Sequence, residues 1–70
     1  MTFLQACVLA AKKATEEGKT YYVHEAPTYW SISALFSPDW LFRAYPGGRK
    51  QMTEAGAKLA EIEGVDVRSI

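Results

Sequence analysis

The amino-acid sequence predicts a small α+β two-layer sandwich in the order α-β-β-β-α with a short C-terminal strand. An antiparallel meander sheet packs against two helices in a single domain over residues 1–70. Three observations carry this expectation. Segments near both ends repeat apolar residues at three- and four-residue intervals, the helical period. The middle alternates instead, and eight of the nine aromatic residues lie between Tyr21 and Tyr45, a composition suited to pleated, half-buried strands. Pro27, Pro38, Pro46, Gly47 and Gly48 punctuate that stretch as turns do.

Thr2 and Gln5 match the S/T-x-x-E/Q capping box, in which hydroxyl and amide satisfy donors left unpaired at a helix start, so the first helix is expected to begin at Phe3. Its apolar positions are Phe3, Leu4, Cys7, Val8, Ala11 and Ala14, with Gln5, Lys12, Lys13, Glu16 and Glu17 opposite and Leu9 toward the polar side. Gly18 stands where a left-handed cap closes a helix.

A first strand is expected over about Lys19 to His24, turned by Glu25, Ala26 and Pro27, because proline cannot donate to a ladder. A second runs from Thr28 to Phe36, with Trp30, Ile32, Ala34 and Phe36 on the apolar face and Tyr29, Ser31, Ser33 and Leu35 on the other. Ser37, Pro38 and Asp39 admit two readings, a type I turn or a capped helix start. The aromatic content favours the turn, which makes Trp40 to Tyr45 a third strand with Trp40, Phe42 and Ala44 on one face. As a cap, the same residues begin a two-turn helix stopped by Pro46. The second helix is expected between about Lys50 and Glu63 on a stripe of Met52, Ala55, Leu59 and Ile62, with Gly64 as its cap. Gly56 weakens it by about 1 kcal/mol but permits close approach to the sheet. The tail from Val65 to Ile70 alternates as a short edge strand does.

Composition excludes several classes of function. With 8 Lys+Arg against 8 Asp+Glu, the chain lacks the one-sign field of a strongly basic nucleic-acid binder or an acidic mimic of nucleic acid. Cys7 has no partner for a disulfide, and one cysteine with one histidine, His24, makes no Cys/His metal cage. No cofactor or metal is expected. The apolar run from Phe3 to Ala11 has no basic flank, is interrupted by Gln5, and falls short of the roughly 18 residues a membrane span needs. A cytoplasmic protein that avoids the membrane is expected, and its Met1 start reads as a complete chain.

No catalytic constellation stands out, and a non-enzyme is expected. His24, Ser31 or Ser33, and Asp39 form a hydrolase triad only on paper, because no nucleophile elbow is present. Cys7, on an apolar helix face with no cation at helical spacing, reads as a small buried hydrophobe.

Two local features point to binding. Gly47, Gly48, Arg49 and Lys50 follow Pro46 ahead of the second helix, where glycines let backbone amides converge on an anion while Arg and Lys add charge. The bland alternative starts the helix later, with Thr53 as cap and Glu54 in its first turn, leaving Arg49 and Lys50 in a solvated loop. The second feature is the aromatic surplus. If Trp30, Phe36, Trp40 and Phe42 fill the core, then Tyr21 or Tyr22, Tyr29, Leu35, Leu41 and Tyr45 remain for the opposite face alongside Arg43, a composition enriched in protein interfaces and base-stacking platforms.

The order of helix, three strands and helix, with Arg49, Lys50 and Lys58 in and after the basic turn, is superficially similar to the double-stranded-RNA-binding domain. The analogy is topological: Gln51 follows Arg49 and Lys50, the first-helix contacts have no match, and no family is identified. The leading expectation is a small interaction protein that binds, and inhibits or modulates, a larger protein partner through Tyr29, Leu35, Arg43 and Tyr45. Phages and mobile elements encode accessory proteins of this kind, some against host defence systems. The alternatives are a nucleic-acid-binding module using the Gly47-Gly48-Arg49-Lys50 turn with stacking tyrosines, and a homodimer or larger homo-oligomer.

Overall fold

In the computed structural model, which describes residues 1–64 and 70, the chain runs α1 (Phe3–Glu17), β1 (Tyr21–Glu25), β2 (Trp30–Ser33), β3 (Phe42–Ala44), β4 (Lys50–Met52) and α2 (Glu54–Ile62). The α+β sandwich expected from the sequence is present, with two helices packed on an antiparallel sheet. α1 begins where the capping box places it. The Gln5 N–H donates to the Thr2 hydroxyl at 3.1 Å, the Thr2 N–H returns to the Gln5 side chain at 2.8 Å, and Gly18 closes the helix in the left-handed conformation.

The sheet differs from a meander in two respects. Four strands are present, and their order is β2-β1-β3-β4, so β3 lies beside β1 and not beside β2. Ala26 to Tyr29 forms the first hairpin turn, closed from the Ala26 N–H to the Tyr29 carbonyl at 3.0 Å. The connection 34–41 then carries the chain across β1, two strand spacings or about 10 Å. Within it, Ser37 to Trp40 is the turn expected at Pro38, closed by the Trp40 N–H on the Ser37 carbonyl at 3.1 Å, and Phe42 to Ala44 is strand and not helix. The added strand arises because 50–52 pairs back on β3. As a result α2 starts not at about Lys50 but at Glu54 under a Thr53 cap, the later of the two starts read from the sequence. With four strands before the last helix, and Arg49 and Lys50 ahead of β4 and within it, the analogy with the double-stranded-RNA-binding domain fails at its defining points. Residues 65–69, read as an edge strand, lie outside the described residues.

Strand alternation assigns the faces. Tyr21, Val23, Phe42 and Ala44 turn inward and are buried, with Trp30, Ile32 and Met52 packed beside them. α1 meets this face through Phe3, Ala6, Cys7, Ala10 and Ala14. The buried stripe is therefore rotated from the expected one: alanines let the helix axis approach the sheet, and Val8 is left 48% exposed. α2 buries Gly56 and Ala60, whereas Ile62 is 81% exposed, because the helix makes its closest approach at Gly56. A Cβ on Gly56 would stand 2.4 Å from the Leu41 carbonyl oxygen. The Thr53 N–H donates to that same oxygen at 3.0 Å, which pins the start of α2 to the residue before β3. Phe3, Val23 and Phe42 are the large fully buried side chains, each worth about 1.5–3 kcal/mol of transfer free energy. Among the described residues no helix is long and apolar enough to cross a membrane.

Candidate functional site

The same alternation turns Tyr22, His24, Ser31, Ser33, Arg43 and Gln51 to the face away from the helices. The registers align Ser33, Tyr22, Arg43 and Gln51 in one row across all four strands. From the crossover 34–41, Phe36 and Trp40 reach this face. Phe36 meets Tyr22 edge-on with ring centroids 5.6 Å apart, and Trp40 meets the same tyrosine at 6.4 Å. The Arg43 guanidinium lies 4.4 Å from the Trp40 ring centroid and 5.1 Å from that of Tyr45, while Arg49 lies 4.2 Å from Tyr45. Phe36, Tyr22, Trp40, Arg43, Tyr45 and Arg49 thus form an unbroken series of ring and guanidinium contacts. Each cation–π pair at such exposure contributes about 0.5–1 kcal/mol.

The β3–β4 hairpin shapes one end of the series. Pro46, Gly47 and Gly48 make its loop: the Gly48 N–H donates to the Tyr45 carbonyl at 3.1 Å, and the Tyr45 N–H to the Arg49 carbonyl at 2.8 Å. Gly48, at φ +91°, takes the left-handed position that lets a three-residue loop rejoin the ladder. Arg43, Tyr45, Arg49, Lys50 and Gln51 then enclose a shallow pocket of about 350 Å³. Within it the Gln51 Oε1 accepts from the Arg43 guanidinium and, at 3.2 Å, from the Tyr45 hydroxyl. Arg43 Nε is buried and has no hydrogen-bond partner among the described residues.

The two sets of residues singled out in the sequence therefore meet in part. Arg43 and Tyr45 stand beside Arg49 and Lys50, joined by the turn that Gly47 and Gly48 permit. These glycines shape a hairpin and do not cradle an anion at a helix N-terminus, which lies further on at Thr53 and Glu54. Leu35, 79% exposed, lies on the crossover beside Phe36. Tyr29, 64% exposed, closes the β1–β2 turn at the opposite end of the sheet from Tyr45, outside the series of contacts.

Trp40 and Phe36 were expected in the core, and both belong to this outer face; Phe36 is 64% exposed. The sequence does not place Trp40, since the fourth residue of a turn opened by Ser37-Pro38 can begin a strand, and here β3 begins only at Phe42. Gln51 carries no signal either.

Other reactive groups do not assemble. His24 and Ser31 are cross-strand partners, and the Asp39 carboxyl is held below the usual carboxylate range by the Ser37 hydroxyl and backbone hydrogen bonding, with a smaller effect from nearby His24. Yet His24 Nδ1 has no partner among the described residues, so the hydrogen bonds of a triad are not formed. Cys7 is fully buried, and burial, reinforced by the Glu63 carboxylate, pushes its thiol up to about 12.

Compared with known proteins, the chain matches no protein-family model, and neither a curated sequence nor a solved structure shows significant similarity to it.

Proposed function

We propose that this protein is a non-enzymatic interaction protein that binds, and inhibits or modulates, a larger protein partner through the sheet face opposite the helices. One observation carries the reading: the continuous series from Phe36 through Tyr22, Trp40, Arg43 and Tyr45 to Arg49 on an outward face. Trp, Tyr and Arg dominate binding energy at protein interfaces, Trp and Tyr because they offer large area at low conformational cost and Arg because its guanidinium both stacks and hydrogen-bonds. Leu35 and Phe36 extend the face with apolar surface held outward by the crossover.

The experiment is affinity capture with the tagged chain, with and without nuclease, followed by Leu35→Ala, Phe36→Ala, Arg43→Ala and Tyr45→Ala. A stoichiometric protein that survives nuclease and is lost with these substitutions, while the far-ultraviolet circular dichroism stays unchanged, is the expected result. Retention by all four variants overturns the reading. The two arginines at the pocket favour a second reading, nucleic-acid binding, in which Arg49 and the neighbouring Lys50 contact phosphates and Tyr45 stacks a base. That reading requires affinity to fall steeply with salt.

A further inference from the structure

We infer that the pocket of the β3–β4 hairpin receives a carboxylate of the protein partner, an aspartate or glutamate side chain presented on an acidic segment. The inference rests on the proposed protein-binding role of this face and adds the chemistry of one contact.

Arg43, Tyr45, Arg49, Lys50 and Gln51 line the pocket, and strand alternation turns the side chains of Arg43, Tyr45, Arg49 and Gln51 to it, so two guanidinium groups share about 350 Å³ of shallow space with no acidic group among its lining residues. The chain as a whole balances 8 Lys+Arg with 8 Asp+Glu, which makes this a local excess of one sign. Elsewhere Lys12 stands 3.9 Å from Glu16, whereas both pocket arginines rest on aromatic rings instead of carboxylates. A guanidinium stacked on a ring keeps its in-plane N–H donors for a planar acceptor, and the two oxygens of a carboxylate match that fork. The Gln51 side-chain oxygen is already engaged by Arg43 and Tyr45.

Charge along the face separates a protein carboxylate from a polyphosphate. Beside Trp40 on the crossover stands Asp39, kept ionised by the Ser37 hydroxyl. A nucleic-acid strand following the aromatic series from the pocket would carry phosphates toward that carboxylate. A protein surface can place a carboxylate at the pocket and a donor opposite Asp39.

The test is a nuclear magnetic resonance titration of the isotope-labelled full chain at low salt with a blocked hexaglutamate peptide, and in separate arms with inorganic phosphate and with oligothymidylate. Saturable shifts confined to the β3–β4 hairpin and the arginine side chains are expected with hexaglutamate. Arg49→Ala should weaken them about tenfold, Arg49→Lys less, and Lys12→Ala not at all. No saturable shift with hexaglutamate, equal binding of inorganic phosphate, or tighter binding of oligothymidylate each overturns the inference. A charge-reversed Arg49→Glu variant separates it from the broader reading. If that variant still captures the protein partner while Phe36→Ala loses it, the carboxylate contact falls and the binding face stands. If neither substitution matters, both fall.

Discussion

The Oε2 atom of Glu63 accepts the backbone N–H of Phe3 at 3.1 Å, so the residue that closes α2 also caps the start of α1, and its Oε1 takes the Leu4 N–H at 3.3 Å. With the Gln5 N–H on the Thr2 hydroxyl and the Ala6 N–H on the Thr2 carbonyl, the first four donors of α1 all find acceptors. The carboxylate also sits at the positive end of the helix dipole. Glu63→Ala should therefore cost about 1–2 kcal/mol, and Glu63→Gln, which loses only the charge, about half as much. Urea unfolding monitored by circular dichroism measures both; a wild-type midpoint for Glu63→Ala would show that the two helices are not joined through this side chain.

Cys7 carries a pH dependence whose sign follows from its thiol. Folding raises its pKa from 9.0 to about 12, so the native state keeps a proton that the unfolded state releases. The corresponding stability is complete below about pH 9 and is lost as pH rises toward 12. Tyr21 acts in the same direction, its hydroxyl pKa raised by the hydrogen bond to Glu17. Urea midpoints measured across the alkaline range should fall, less steeply in Cys7→Ala. At pH 8 a thiol reagent should label Cys7 only at the rate of opening, and immediate stoichiometric labelling of folded protein would contradict its burial.

Gly56 separates helix propensity from packing. In an open helix Gly→Ala stabilises by about 1 kcal/mol. Here the new methyl would stand 2.4 Å from the Leu41 carbonyl oxygen and 2.9 Å from Met52 Cγ, and the nearer neighbour is backbone. Gly56→Ala should destabilise by about 1–3 kcal/mol. A raised melting temperature would mean that α2 can shift away from residue 41 at little cost.

Gly47 and Gly48 should part company when each becomes alanine. A Cβ meets nothing within 4 Å at either, but Gly48 has φ +91° and Gly47 does not share that region. Gly48→Ala should cost about 1–2 kcal/mol and loosen the pocket by misaligning Arg49, whereas Gly47→Ala should be neutral or slightly stabilising. Denaturation curves for the pair provide the comparison, and equal effects would refute the hairpin geometry.

What the sequence disclosed was local. Thr2, Gln5 and Gly18 mark both ends of α1 because caps act within one helical turn, and Pro38 marks its turn for the same reason. β4 is too short for alternation to register: Lys50, Gln51 and Met52 read equally well as the first turn of a helix, even though Thr53 and Glu54 were legible as its later start. The β1–β3 pairing is invisible for a different reason, since nothing in Tyr21 to Val23 or in Phe42 to Ala44 names its neighbour. That pairing reverses the place of Trp40 and Phe36. At the site, Arg43, Tyr45, Arg49 and Lys50 were legible by residue type, but their convergence required the hairpin.

The crossover at 34–41 has a consequence for how the protein comes together. β1–β2 and β3–β4 are both local hairpins that can form early, and the sheet is complete only when they join along the β1–β3 seam. Tyr22 belongs to one hairpin, Arg43 and Tyr45 to the other, and Trp40 to the span between them. If the proposed partner grips that series, it holds the seam shut and stabilises the joined sheet by an amount set by its concentration relative to its Kd. Occupancy and folding are then a single equilibrium, and the protein should resist proteolysis in proportion to how much of its partner is present.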